Sequence, residues 1–191
     1  MIHNCFPTPI FSFSLPNPNN SKYLEYAKDL MQTDKGQNRS NVYSWHSSPE
    51  KHPLNDKKLE DLSKFICDSA KKVIAQMGYD KIKLALQESW FIISPKGAYN
   101  KQHTHPGGFI SGSYYIGGVS SPIVFYDPRV IKNFTEPKGM SNKTAYNVSN
   151  ISMFPKEGDL IIFPSWLEHS VPENNSENER VILSFNFNLV R

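Results

Sequence analysis

A chain of 191 residues with 38% hydrophobic and 13% aromatic side chains can build one sizeable core and has little room for a second. That composition excludes an intrinsically disordered chain. A net charge of +3, with basic residues scattered and forming no Lys/Arg stripe, gives no indication of a nucleic-acid surface.

The opening "MIHNCFPTPIFSFSLP" carries an apolar patch but no basic start, no signal-length apolar run and no small-residue cleavage site. No later stretch is long and apolar enough for a membrane span. Cys5 and Cys67 sit in no metal or redox spacing, so reduced thiols and a cytoplasmic location are expected. The triplets Asn147-Val-Ser and Asn150-Ile-Ser then read as chance. Residues 22–33 predict a helix, and 56–77 predict a second. In the second, Leu59, Leu62, Phe65, Ile66, Ala70, Val73, Ile74 and Met77 fall on one stripe, with Asn55 or Asp56 as cap and Gly78 as stop.

From residue 81 the pattern changes to short strands separated by turn signals: "KIKLALQESWFIIS", "FISGSYYIG", "PIVFYDP", "GDLIIFP" and "ERVILSFNFNL". A polar, Asn-rich connection over 132–150 reads as a mobile loop. These strands predict a mainly β fold, a double-sheet jelly roll with the N-terminal helices packed on the outside of one sheet. The chain is expected to be a single domain over 1–191, with 1–80 a mixed helical support and 81–191 the jelly-roll core.

Along the last strand Val181, Leu183, Phe185, Phe187 and Leu189 share one face, suited to packing against the amphipathic helix. Arg180, Ile182, Ser184, Asn186 and Asn188 share the other, which faces solvent in an ordinary half-buried strand and a polar cavity in a jelly roll. Upstream, the stretch "NKQHTHPGG" holds His103 and His105. On a strand, residues i and i+2 lie on one face about 6.5 to 7 Å apart, so two imidazoles there can converge on one ion. His169 follows the strand that ends at Pro164, and Arg180 opens the last strand. Three imidazoles and a fixed cation suit an organic dianion that chelates a metal at one end and pairs with Arg at the other. His3, His46 and His52 fall in loop-like sequence and receive no role.

With these residues in place, the sequence resembles the 2-oxoglutarate/Fe(II)-dependent oxygenase superfamily, and within it a small, little-characterised group with an H-x-H-P motif. The likeness is carried by Phe6 to Ile10, Trp45-His46-Ser47, His103-Thr-His105-Pro106, Ser111-Gly-Ser-Tyr114-Tyr115, Phe125-Tyr-Asp127-Pro-Arg129 and Phe163-Pro-Ser-Trp-Leu-Glu-His169. The resemblance implies Fe(II) held by His103, His105 and His169, with 2-oxoglutarate as cosubstrate bound at its distal carboxylate by Arg180 and Tyr115. Ser184 would assist Arg180, or else make a plain cross-strand hydrogen bond. It also implies O2 and an unidentified substrate to be hydroxylated, and a phage or bacterial cytoplasm. His105 departs from the pattern, since that position usually carries Asp or Glu. One carboxylate ligand would leave the loaded site neutral, whereas three imidazoles leave it one charge positive and widen the choice of metal. A carboxylate such as Glu88 or Asp127 approaching the metal is the alternative, although neither has the motif spacing.

Two other readings of the same residues stay open: a cupin-like three-histidine metalloenzyme that does not use 2-oxoglutarate, and a non-catalytic binding module. Trp90, Asn100, Trp166 and the turn at 126–129 are candidates for the substrate mouth. Core packing also accounts for Trp90, and a solvated side chain for Arg129. Substrate identity and oligomeric state are not encoded in any motif.

Overall fold

Alternation along the strands sorts the apolar side chains into two sets, one for each face of a sheet, and the fold follows from where each set goes. The computed structural model describes residues 1, 3, 5–79, 81–129 and 142–190. Its strands are β1 (Phe11–Ser14), β2 (Asn41–Val42), β3 (Trp45–His46), β4 (Lys83–Ser94), β5 (Tyr99–His103), β6 (Ile110–Gly117), β7 (Ile123–Tyr126), β8 (Asn150–Met153), β9 (Asp159–Pro164), β10 (His169–Val171) and β11 (Arg180–Val190). Two helices, α1 (Asn20–Thr33) and α2 (Glu60–Gln76), precede β4. The strands form a six-stranded sheet in the order β1-β9-β6-β11-β4-β3 and a five-stranded sheet in the order β2-β5-β10-β7-β8. Every described pairing is antiparallel. This is a double-stranded β-helix with its helices laid on the larger sheet.

The helical stripe lies where its spacing predicts. Leu59, Leu62, Ile66, Ala70, Val73 and Ile74 are buried, together with Tyr23 and Ala27 of α1, against Phe91, Ile93, Tyr114, Ile116, Val181, Leu183, Phe185 and Phe187 of the larger sheet. Burying each large side chain of this set contributes about 1.5 to 3 kcal/mol. The Asp56 side chain accepts from the Lys58 backbone N–H at 2.9 Å and starts a short 3-10 turn, Lys57–Leu59, that leads into α2. Gly78, at φ +84°, follows the helix end in the left-handed conformation. Gly112 has to be glycine for another reason: a Cβ there would lie 2.5 Å from the Phe185 ring and 2.6 Å from the Ile161 carbonyl oxygen.

The opposite face of the larger sheet turns inward. Trp90, Ile92, Tyr115, Ile161, Phe163 and Ile182 meet Ile123 and Phe125 of the smaller sheet in a second, separate apolar cluster. Between the two sheets, apolar filling gives way to the polar row of β11.

The sequence pattern finds β4, β6, β7, β9 and β11 and misses the rest. β2 and β3 have two residues each and β10 three, too short for any periodicity to register. β5 reads Tyr-Asn-Lys-Gln-His, with no apolar alternation, because its inner face borders the cavity and not a core. The N-terminal eighty residues therefore supply three strands as well as helices. Of the connection expected over 132–150, residues 132–141 lie outside the described residues. Residues 142–149 hold a turn closed by Asn147, and β8 begins at Asn150.

Candidate metal centre

The three histidines arrive from three different places. His103 ends β5, His169 opens β10, and the two sit directly opposite each other in the antiparallel register. His105 does not share a strand with His103 as the spacing suggested. β5 stops at His103, and the backbone N–H of His105 donates to the Ser165 carbonyl at 2.9 Å, fixing a turn between β5 and β6. The result is still convergent. One ligand nitrogen from each of the three lies within 4.8 Å of the other two, and His105 Nε2 is 3.3 Å from His169 Nε2. Adjacent ligands about 2.0 to 2.1 Å from a common ion stand about 3 to 3.5 Å apart, so the pair is at ligand spacing.

Backbone carbonyls select the tautomers. His169 Nδ1 lies 2.9 Å from the Leu167 oxygen and His103 Nδ1 lies 2.6 Å from the Lys101 oxygen, so both nitrogens are placed to donate and each Nε2 carries the lone pair, which in His103 an ion would take in place of the Ser40 hydroxyl. Ser40 Oγ approaches His103 Nε2 at 3.2 Å. The surroundings keep the rings neutral. Burial lowers the pKa of His169 to about 3, helped by the neighbouring His103, and that of His105 to about 3, helped by His169 and His103. Burial also lowers that of His103. Neutral imidazole is the form that binds a metal. Phe125 and Phe163 pack against His169, and Trp90 against His105, which sets the ring planes.

The histidines line a cavity of about 450 Å³. At its far end Arg180 is 1% exposed, with no carboxylate paired to it among the described residues. Its Nη1 donates to the Pro172 carbonyl at 3.3 Å, while Nε and Nη2 have no hydrogen-bond partner among the described residues. Burial lowers its pKa, and the nearby Tyr115 opposes that shift. Unmet buried donors cost roughly 1 to 3 kcal/mol each, and more on a charged group, and an anion in the cavity would offset that cost. Tyr115, 3% exposed, lines the cavity beside it, and burial raises its phenol pKa well above the usual value, keeping the hydroxyl protonated. Ser184 lines the wall and bonds Ser113 across the strands at 2.8 Å, the cross-strand bond that the sequence allowed.

Arg180 is held by the segment before it. Asn174, fully buried, donates to the Ser94 and Asn178 carbonyls at 2.9 and 2.8 Å and accepts from Ser120 and from the Ser176 N–H. Gly118, at φ +62°, passes so close that a Cβ would sit 2.0 Å from the Glu179 carbonyl oxygen. Nothing in "PENNSENER" signalled this structural asparagine beforehand.

Neither acid weighed as a metal ligand belongs to the histidine group. Asp127 forms an ion pair with Arg129 at 2.7 Å, and Glu88 accepts from Asn186 at 2.6 Å. Among the mouth candidates, Trp90 and Asn100 line the cavity, whereas Trp166 is 57% exposed and does not. His46, given no role by the sequence, is buried, lines the cavity and stacks on Trp90 at 5.4 Å and 8°. Only its pairing onto β4 through β3 brings it there, a long-range contact with no local signature.

Residues 88–186 match the model of a protein family described as "Putative 2OG-Fe(II) oxygenase". No curated protein sequence matches the chain. Among solved structures, the chain is similar to a Pseudomonas putida prolyl-4-hydroxylase at 15% identity and TM-score 0.60, covering 96% of this chain and 94% of that one. It is also similar to the epimerase SnoN of nogalamycin biosynthesis, solved with Fe3+, alpha-ketoglutarate and nogalamycin RO, at 11% identity and TM-score 0.65, covering 94% and 78%. HygX from Streptomyces hygroscopicus, solved with nickel and 2-oxoglutarate, aligns at 11% identity and TM-score 0.57, covering 95% and 83%. At these identities the structures establish the shared fold.

Proposed function

We propose, for a chain that belongs to the 2OG-Fe(II) oxygenase family, that His103, His105 and His169 hold the iron and that Arg180 and Tyr115 bind the distal carboxylate of 2-oxoglutarate. The family supplies the metal and the cosubstrate; the residues and the hydroxylation outcome are our reading. The observation that carries it is Arg180, a buried guanidinium with two unpaired nitrogens in the same cavity as three convergent imidazoles. The donor set fits the group, because neutral imidazoles accept a divalent ion and the guanidinium fork matches a carboxylate.

Iron with 2-oxoglutarate supplies the oxidation when bound: O2 is consumed, the keto acid leaves as succinate and CO2, and one oxygen atom enters a C–H bond of the substrate. The protein's own part is positioning. Arg180 and Tyr115 fix one end of the cosubstrate, both as donors, and Ser184 stands alongside on the same strand face. The Nδ1 contacts from Leu167 and Lys101 keep two ligand rings from rotating. Trp90, Ile92, Ile123 and Ile182 give the cavity apolar walls, beside which charged groups interact more strongly than they would in open solvent. No helix among the described residues is long and apolar enough to cross a membrane.

The test is an anaerobic titration of metal-free protein with Fe(II) and 2-oxoglutarate, followed by the visible charge-transfer band of a keto acid chelated to iron. The parent gives the band. His105→Ala abolishes it, and Arg180→Ala raises the 2-oxoglutarate concentration needed by about a hundredfold or more, the effect of removing a charged hydrogen-bond partner. Bound iron without a band would sink the reading in favour of a three-histidine enzyme that uses no keto acid.

A further inference from the structure

The cavity is longer than its cosubstrate. The inward row of β11 runs from Arg180 to Asn186, about 20 Å along the strand. A five-carbon keto diacid spans only about 5 to 6 Å. Anchored at Arg180 it extends toward the histidines and leaves the Asn186 end of the cavity for the substrate.

At that end stands an acid with a built support. Glu88 shares the inward face of β4 with Trp90 and Ile92 and lines the cavity. Its Oε1 accepts from Asn186 Nδ2 at 2.6 Å. Asn186 is 3% exposed, and its Oδ1 accepts from Ser111 Oγ at 2.7 Å. Ser111 Oγ in turn meets Ser165 Oγ at 2.7 Å, and both serines are fully buried. Three buried side chains thus fix the orientation of one carboxylate. Asn186 engages one of its oxygens, while a carboxylate offers about four acceptor sites, and no cation pairs with Glu88 among the described residues. Next to it, Trp90, stacked on His46 and in contact with His105, lines the cavity with apolar ring carbons that suit an alkyl stem.

We infer that Glu88 is the substrate anchor and that the substrate presents a protonated amine to it, with the alkyl carbons next to that nitrogen lying along Trp90. This rests on the cosubstrate occupying the Arg180 end. The polarity of the two ends is what discriminates: the cation at Arg180 takes the dicarboxylate, and the anion at Glu88 takes the amine and repels a second dicarboxylate.

The experiment uses n-propylammonium as the probe and n-propanol as its uncharged control. Each is titrated anaerobically into the full chain loaded with Fe(II) and 2-oxoglutarate, and followed by the charge-transfer band and by saturation-transfer NMR of the probe. The amine binds at millimolar concentration and the alcohol does not. Glu88→Gln keeps the size and the Asn186 hydrogen bond but removes the charge, and it weakens amine binding about ten- to hundredfold without removing the band. The proposal is overturned if amine and alcohol bind alike, if the parent binds neither, or if Glu88→Gln binds the amine undiminished. Should the parent show no band, the iron and 2-oxoglutarate reading fails by itself, and the NMR arm still decides the role of Glu88.

Discussion

The two faces of β11 are built from the same eleven residues to opposite ends. Toward the helices, Val181, Leu183, Phe185 and Phe187 enter a continuous apolar cluster in which every neighbour belongs to the protein. Toward the cavity, Arg180 leaves two buried nitrogens unpaired, and Ser184 and Asn186 meet their hydrogen-bond partners on a wall that borders empty space. One face is packed by the protein itself, and the other carries buried donors that the described residues do not satisfy. Stability should therefore depend mainly on the first face and ligand affinity on the second.

The largest effect expected is on the helix face. Phe185→Ala removes a fully buried ring at the centre of that cluster, beside Phe187 at 5.4 Å and over Gly112. It should lower the unfolding free energy by about 3 to 5 kcal/mol, measured by urea denaturation of the metal-free protein. A loss under about 1 kcal/mol would break the comparison, because the helix layer would then contribute little.

Acid acts on the histidines, which line the same cavity from the smaller sheet and the turn after β5. The imidazoles of His105 and His169 are held at about 3, against about 6.5 in an unfolded chain. Between those values the unfolded state binds the more protons, so stability is fully present above about pH 6.5 and is lost as the pH falls toward 3. Each of the two imidazoles adds a slope of about 1.4 kcal/mol per pH unit in that window. Metal-free protein denatured in urea at pH 7, 6 and 5 should show it, and His105→Ala should flatten the slope. An unchanged slope in that variant would mean that His105 is protonated as readily folded as unfolded.

The contrast between the faces also explains what the sequence could reveal. Helix 56–77 and the apolar row of β11 were legible because burial against a continuous partner imposes a period on the residues themselves. The grouping of His103, His105 and His169 was legible, although the shared strand that the spacing of the first two suggests is not found, because β5 ends at His103. His46, Glu88 and Asn174 were not recognised in their present parts, because each depends on pairing between distant strands or on a hydrogen-bond relay. Glu88 reads in the sequence only as a candidate metal ligand, and the Asn186–Ser111–Ser165 chain that holds it elsewhere joins β11, β6 and the turn after β9, which are remote in sequence. Polar cavity walls carry no periodic signal, which is also why β5 shows no strand pattern.

The smallest effect on stability is expected where the effect on function is greatest. Arg180→Met replaces the buried guanidinium with an apolar side chain of comparable reach and removes the two unpaired nitrogens along with the charge. Among the described residues the only side-chain hydrogen bond lost is the one to Pro172, so the metal-free variant should unfold within about 1 kcal/mol of the parent, or be more stable. In the presence of Fe(II) under anaerobic conditions, 2-oxoglutarate at a hundred times its Kd stabilises the parent by about 2.7 kcal/mol. At the same concentration the variant should gain almost nothing. If the metal-free variant instead lost several kcal/mol, Arg180 would belong to the structural face, and its unpaired nitrogens would not mark a site waiting for an anion.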